Sequence, residues 1–247
     1  MPLARVEAIP KRGYRSEQRE RQARETKERV LVAASAEFER RGYAATRISA
    51  VAGAAGVSVS TVELLFGTKP ELLRAAISFA IRGDAEPVPM LKRAWAQRAQ
   101  AAASVGEYLA IVGRVLADGE QRSAGLVVAA FEAASHDESM SALADQLRHQ
   151  RAETAAWLVD GLTVRASLRG ELTREEAIDI VWLLMDPHGF RALTRDRGWS
   201  AERFGLWVTD TVRRLLLADE VEAPLTTRRS RPAPPITSTP ERKRRTR

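Results

Sequence analysis

The stretch AAGVSVSTVELLFGTK, Ala54 to Lys69, decides how this chain is read. Gly56 interrupts an apolar helical pattern, and Ser58 can cap a new helix behind it. From Val59 to Phe66 the periodicity puts Val62, Leu65 and Phe66 inward. Val59, Ser60, Thr61, Glu63 and Leu64 are left on the outer side. That side carries no Lys or Arg, and its single charge is an acid, Glu63.

The pattern extends outward in both directions. Upstream, a helix opens at Ser16 with Glu17 and Glu20 in its first turn, where acids suit the helix dipole. Its stripe of Val30, Leu31, Ala34 and Phe38 ends at Gly42. Thr46 can cap a second, short helix that turns Ile48, Val51, Ala52 and Ala55 inward. Downstream, Thr68 and Glu71 stand at capping-box spacing and open a fourth helix, with Leu72, Leu73, Ala76, Ile77, Ala80 and Ile81 buried. The run GDAEPVP, Gly83 to Pro89, breaks it. Further helices are predicted over 90–101, 104–118, 121–134, 138–168, 174–185 and 201–217, with cap signals at Ser135/Glu138, Thr173/Glu176 and Ser200. The fold class is all-α.

Composition narrows the function. Among 247 residues there is no cysteine, which removes disulfides, thiolate metal sites and thiol catalysis and fits a cytoplasmic protein. No apolar run is long enough to span a bilayer, so no membrane partner is expected. The net charge of +7 sits at the two ends. Residues 222–247 hold eight Lys or Arg against two acids, and the first 45 residues hold eleven against seven. A basic arm over 1–15 and a proline-rich basic tail over 222–247 are expected to be flexible. His136, His149 and His188 lie at no metal-ligand spacing, and neither a glycine-rich phosphate loop nor a nucleophile elbow occurs. No metal, no cofactor and no catalytic residue is expected.

Two short helices joined at a glycine behind a longer one have the spacing of a helix-turn-helix, although helical hairpins in bundles share it. Residues 29–77, RVLVAASAEFERRGYAATRISAVAGAAGVSVSTVELLFGTKPELLRAAI, resemble the N-terminal DNA-binding domain of the TetR family of bacterial repressors. The resemblance rests on Ala33, Ala34, Phe38, Gly42, Tyr43, Thr46, Ile48, Ala52, Ala55, Gly56, Val57, Ser58, Thr61, Phe66, Lys69, Glu71 and Leu72. The chain departs from the family at Val59, Ser60 and Leu65. It departs most at Glu63, where the family usually has a phosphate-contacting tyrosine.

The resemblance implies a homodimeric regulator that binds double-stranded operator DNA through residues 16–82. Residues 88–218 would form a helical effector-binding and dimerisation domain. The implied activity is that of a repressor released by a small apolar effector. Phosphate contacts would come from Thr46, Arg47, Ser58 and Lys69. Base edges would be read by Val59, Ser60, Thr61, Glu63 and Leu64. Glu63 has two readings: a cytosine contact, or an ion pair with Arg47 or Lys69. Of the aromatic residues, Tyr108, Phe131 and Trp157 are the candidates for the effector pocket, against an ordinary core role. Ile178, Val181, Phe204, Trp207, Val208, Val212 and Leu215 form stripes that either pack within one chain or make a two-fold dimer interface. The rival reading is a helical-bundle enzyme or lipid-binding protein whose N-terminal helical hairpin is only structural.

Overall fold

A computed structural model describes residues 11–84, 86 and 88–218. The helices are α1 (Lys11–Ala45), α2 (Ile48–Ala55), α3 (Val59–Phe66), α4 (Lys69–Arg82), α5 (Ala94–Ala101), α6 (Val105–Ala134), α7 (Glu138–Thr163), α8 (Arg174–Leu184), α9 (Pro187–Arg191) and α10 (Ala201–Leu216). A 3-10 turn at Met90–Lys92 precedes α5, and a π turn at Ala192–Asp196 extends α9. The described residues form no strand. They form one isolated bridge, between Leu168 and Leu217, which fastens the segment after α7 to the end of α10.

The helix of the first domain begins at Lys11, ahead of the expected start at Ser16, so part of the expected arm is helical. The rest of the arm, and the tail over 222–247, lie outside the described residues. Gly42 adopts φ 71°, ψ 173°, a backbone that L side chains rarely take, and it kinks the end of α1. Thr46 does not cap α2 as expected. Its side chain is only 2% exposed, and its hydroxyl donates to the Gly42 carbonyl at 2.7 Å and to that of Glu37 at 3.1 Å. It closes the kink, and Arg47 takes the N-cap position of α2 without a side-chain cap bond. The Ser58 and Thr68–Glu71 caps form as read, whereas the expected Ser135/Glu138 box does not, because Ser135 ends α6 and Asp137 caps α7. Ser58 Oγ accepts from the Thr61 N–H at 3.1 Å, and Glu71 accepts from the Thr68 N–H at 3.3 Å.

Further along, three expected boundaries change, the first being the start of the helix expected over 90–101, which forms only from Ala94, behind the 3-10 turn. Helices expected over 104–118 and 121–134 are one helix, α6. Gly119 is tolerated in its interior, where Ser123 Oγ donates back to the Gly119 carbonyl at 2.8 Å. The helix expected over 138–168 stops at Thr163, where Arg165 takes over. Its guanidinium donates to the carbonyls of Ala99 at 2.9 Å and Ala102 at 3.0 Å, joining the ends of α5 and α7.

Two apolar clusters hold the chain together. The first gathers Val30, Phe38, Val51, Val62, Leu72 and Ile77 from α1–α4 around Leu126 and Ala130 of α6 and Met140 and Leu143 of α7. The second gathers Tyr108, Leu158, Leu162, Val181, Phe204, Val208, Val212 and Leu216. Each fully buried large side chain contributes roughly 1.5–3 kcal/mol. Four stripe residues assigned above to a dimer interface, Val181, Phe204, Val208 and Val212, are therefore buried inside their own chain. An amphipathic helix must cover its apolar face somewhere, and here α6 and α8 cover that of α10.

Helix α10 approaches α6 closely because both present glycine at the crossing. A Cβ at Gly205 would stand 2.6 Å from the Gly113 carbonyl oxygen and 3.0 Å from Ala117 Cβ. Gly53, on the exposed side of α2, has nothing within 4 Å of its Cβ position. Gly205→Ala is expected to destabilise the fold by about 1–3 kcal/mol through overpacking. Gly53→Ala should instead gain up to about 1 kcal/mol from helix propensity. Urea denaturation of the two variants checks this opposition in sign.

Candidate nucleic-acid interface and effector cavity

Gly56 makes the turn between α2 and α3 with φ 67°, ψ 39°, the left-handed conformation that glycine adopts without strain. The chain bends by 104° between the two helix axes, within the range of a helix-turn-helix. Val51, Ala52 and Ala55 of α2 and Val62 and Phe66 of α3 bury the inner faces, which fixes the outer face of α3. Leu64 is 87% exposed and Val59 is 38% exposed, with Ser60 and Glu63 exposed beside them. Thr61 is half-buried.

Ser58 organises the hydroxyls of this face. Its Oγ lies 2.8 Å from Ser60 Oγ and 2.8 Å from Thr61 Oγ1, so both expected base-reading hydroxyls are tied to the cap. No ion pair joins Glu63 to Arg47 or Lys69 among the described residues. Arg47 is exposed at the head of α2. Lys69 is half-buried, and its ammonium donates to the Ala44 carbonyl at 3.2 Å and lies 4.4 Å above the Tyr43 ring. Burial lowers its pKa, against the pull of the Asp137 charge. Thr46 is turned into the fold, and its N–H, the donor expected for a phosphate, goes to the Tyr43 carbonyl at 3.3 Å.

Lys69 and Tyr43 also meet the second half of the chain. Tyr43 stacks on Phe38 at 6.2 Å between ring centroids. Burial raises its phenol pKa first, and the charge of Asp137 raises it further. Asp137 is the N-cap of α7, and the hydrogen bond from Ser139 holds its carboxyl below the usual range. The opposite end of α4 is held too. Arg122 of α6 donates through Nε to the Ala80 carbonyl at 2.8 Å, satisfying a helix end that would otherwise lack a donor.

A cavity of 430 Å³ lies between the last turn of α4, the Met90–Lys92 turn, α5, α6 and α7. That volume suits a small ligand. Phe131 and Trp157 line it. Tyr108 does not. It is fully buried in the second cluster, its hydroxyl donating to the Leu158 carbonyl at 3.1 Å and its ring packed 5.9 Å from Trp157. It braces the wall from behind. Trp95 joins the wall instead, edge-on to Trp157 at 5.4 Å, with its Nε1 buried and unpartnered. Glu120 is a further wall residue that pattern reading missed. Residues 119–120 fell in the expected gap between two helices, and only the continuity of α6 turns Glu120 inward. A wider groove of 1210 Å³ between α1, α6 and α10 has charged walls, with Glu39, Arg40, Arg191 and Glu202 among them.

On the outside of the second half, Trp207 and Leu215 are exposed and Ile178 is half-buried, and Leu183 of α8 is 65% exposed. No helix among the described residues is long and apolar enough to cross a membrane, and no group of three or more acidic or histidine side chains is placed to hold a metal ion.

Residues 30–76 match the family model of bacterial regulatory proteins, tetR family. No curated protein matches the sequence. Several solved structures share the fold. The SmeT–triclosan complex aligns at TM-score 0.58 and 18% identity, over 85% of this chain and 99% of that one. NalD, the secondary repressor of the MexAB-OprM multidrug efflux pump in Pseudomonas aeruginosa, aligns at 0.53 and 17%, over 78% and 97%. The ketosteroid transcriptional regulator KstR2 of Mycobacterium tuberculosis aligns at 0.53 and 18%, over 78% and 95%. With its bent α2–α3 pair and its match to that model, the N-terminal part of this chain is a helix-turn-helix domain of the TetR family.

Proposed function

We propose that the protein is a homodimeric, ligand-responsive repressor. Residues 16–82 bind operator DNA, and residues 88–218 bind a small, mostly apolar effector and dimerise. The observation that carries this reading is the position of α4. Its first turn adjoins the reading helices, and its last turn, Ile81 and Arg82, lines the aromatic cavity. Effector binding and the placement of α3 thus share one rigid element, and a ligand that favours one placement shifts the population between them. The triclosan bound to SmeT supports a small-molecule role for such a cavity.

On DNA, α3 enters the major groove with Val59 and Leu64 against thymine methyls and Glu63 accepting from a cytosine amine. Phosphate charge is met by Arg47 at the head of α2 and by the ammonium of Lys69. The dimer uses the outer apolar residues Leu183, Trp207 and Leu215, together with the exposed edge of Ile178. Two-fold symmetry then requires an operator made of inverted half-sites.

Selection of bound duplexes from a randomised pool tests the function, and failure to enrich an inverted repeat would sink it. In the same selection, Arg47→Ala should weaken all sites alike and flatten the dependence of log affinity on log salt by roughly 0.9 per lost contact. Glu63→Ala should change the preferred base at one position per half-site, a discrimination of about 1–3 kcal/mol. An unchanged site after Glu63→Ala would remove its base-reading role.

The dimer has its own test. Leu183→Glu places a charge on an exposed residue, so the monomer fold should persist. In the proposed interface the charge is buried unpaired, at a cost of about 3–5 kcal/mol. Sedimentation velocity should show a folded monomer. A variant that sediments as a dimer would move the interface elsewhere.

A further inference from the structure

Arg82 is the last residue of α4, and its side chain lines the aromatic cavity. That side chain makes no hydrogen bond and no ion pair among the described residues, and its Nε is buried. Asp84, two residues on, is taken by Arg93, which donates to its carboxylate through both Nη nitrogens at 2.7 and 2.8 Å. Arg82 contributes only its field there. Two more N–H donors on the same wall are buried and unpartnered, Trp95 Nε1 and Arg151 Nε. Buried donors left unmet are costly, and a bound molecule that accepts from them recovers the cost.

Charge on the rest of the wall balances. Arg151 of α7 donates through Nη1 to Asp186, the N-cap of α9, at 2.9 Å. Lys92 and Glu153 are exposed and opposite in sign. Glu120 of α6 has a buried, unpartnered Oε2, but burial lifts its carboxyl to about 8, with the Arg151 charge pulling it down and Asp186 pushing it up. At neutral pH it therefore carries its proton and is a further donor. Behind α6 the groove adds no negative excess, since Arg40, Arg114, Arg191 and Arg195 stand against Glu39, Asp118 and Glu202. The carbonyls at the end of α4, which would repel an anion, are met by Arg122, at 2.8 Å for Ala80 and 3.4 Å for Ile81. The unbalanced charge of the wall is that of Arg82.

We infer that the cavity takes an apolar carboxylic acid, its carboxylate set against the Arg82 guanidinium and its apolar body against Trp95, Trp157 and Phe131. This rests on the reading of the cavity as the effector site. An ionised carboxylate only accepts, so it can meet guanidinium and indole N–H groups, which an ammonium cannot. The planar guanidinium also matches a carboxylate in a bidentate pair. Arg82 ends α4, so the pull of the anion acts on the helix whose Leu72, Leu73 and Ile77 pack with Val51 of α2 and Val62 of α3.

Calorimetry on the full-length protein at neutral pH with phenylbutyrate, phenylbutanol and phenylbutylamine tests this, since the three share one apolar body. The carboxylate should bind tightest, by roughly tenfold or more over the alcohol. Arg82→Gln alters a side chain that bonds to nothing among the described residues, so its thermal unfolding should match that of the native protein. It should lose roughly 10- to 100-fold of carboxylate affinity and leave the alcohol unchanged. Arg82→Lys, which keeps the charge without the fork, should recover part of that loss. Equal binding of carboxylate and alcohol, preference for the amine, an Arg82→Gln variant with native carboxylate affinity, or no binding of any probe overturns the inference. A mobility shift on the selected operator separates it from the reading it rests on. Phenylbutyrate that binds through Arg82 without releasing DNA sinks the effector reading and leaves acid recognition standing. Release of DNA by the alcohol as readily as by the acid, with Arg82→Gln responding as the native protein does, shows the reverse.

Discussion

The continuity of α6 is the constraint on which the rest of this fold depends. Its first half, with Tyr108, Leu109 and Val112, is core to α7, α8 and α10, and its second half, with Leu126 and Ala130, is core to α1 and α4. Between them the helix carries one wall of the cavity, from Val112 to Phe131. A break at Gly119 would divide the molecule into two bodies and open the cavity between them. The helix runs through because burial of its flanks outweighs the roughly 1 kcal/mol that an interior glycine costs.

Local chemistry made the reading half of the molecule legible. Gly56, Ser58 and the Thr68–Glu71 box each act within a few residues, so their spacing in sequence is their geometry in space. Thr46 misled for the same reason. A threonine before a helix is usually a cap, and nothing local signals that the kink at Gly42 brings two carbonyls within reach of its hydroxyl. The family resemblance carried the assignment of the domain beyond what spacing alone supports, because bundles also contain short hairpins.

Legibility fell in the second half, where the decisive contacts join residues far apart in sequence. Periodicity marked the α10 stripe as apolar without saying what covers it. Phe204, Val208 and Val212 went to the core, while Trp207 and Leu215 stayed outside. Tyr108 and Trp95 were indistinguishable as aromatics on helices. Their roles separate only because the Tyr108 hydroxyl finds the Leu158 carbonyl and the Trp95 indole nitrogen finds nothing. The polar wall of the cavity was the least visible feature. A glutamate at a supposed helix boundary is ordinarily a solvated residue, and a missing partner cannot be read from a sequence.

The two ends of α4 show how little of the reading head is independent. At its start, Lys69 and Tyr43 sit within the field of Asp137, the residue that caps α7. At its end, Arg122 of α6 holds the Ala80 carbonyl, and Arg82 reaches the cavity wall. The first apolar cluster closes the space between with Met140, Leu143 and Leu147 of α7. Packed interiors resist continuous deformation, so α4 cannot tilt by itself. A change in spacing between α6 and α7 must either leave α4 in place or carry α2 and α3 with it, because Leu72, Leu73 and Ile77 share one cluster with Val51 and Val62. A cavity bounded by α6, α7 and the last turn of α4 is therefore the place in this fold where a small occupant has the most leverage on the outer face of α3.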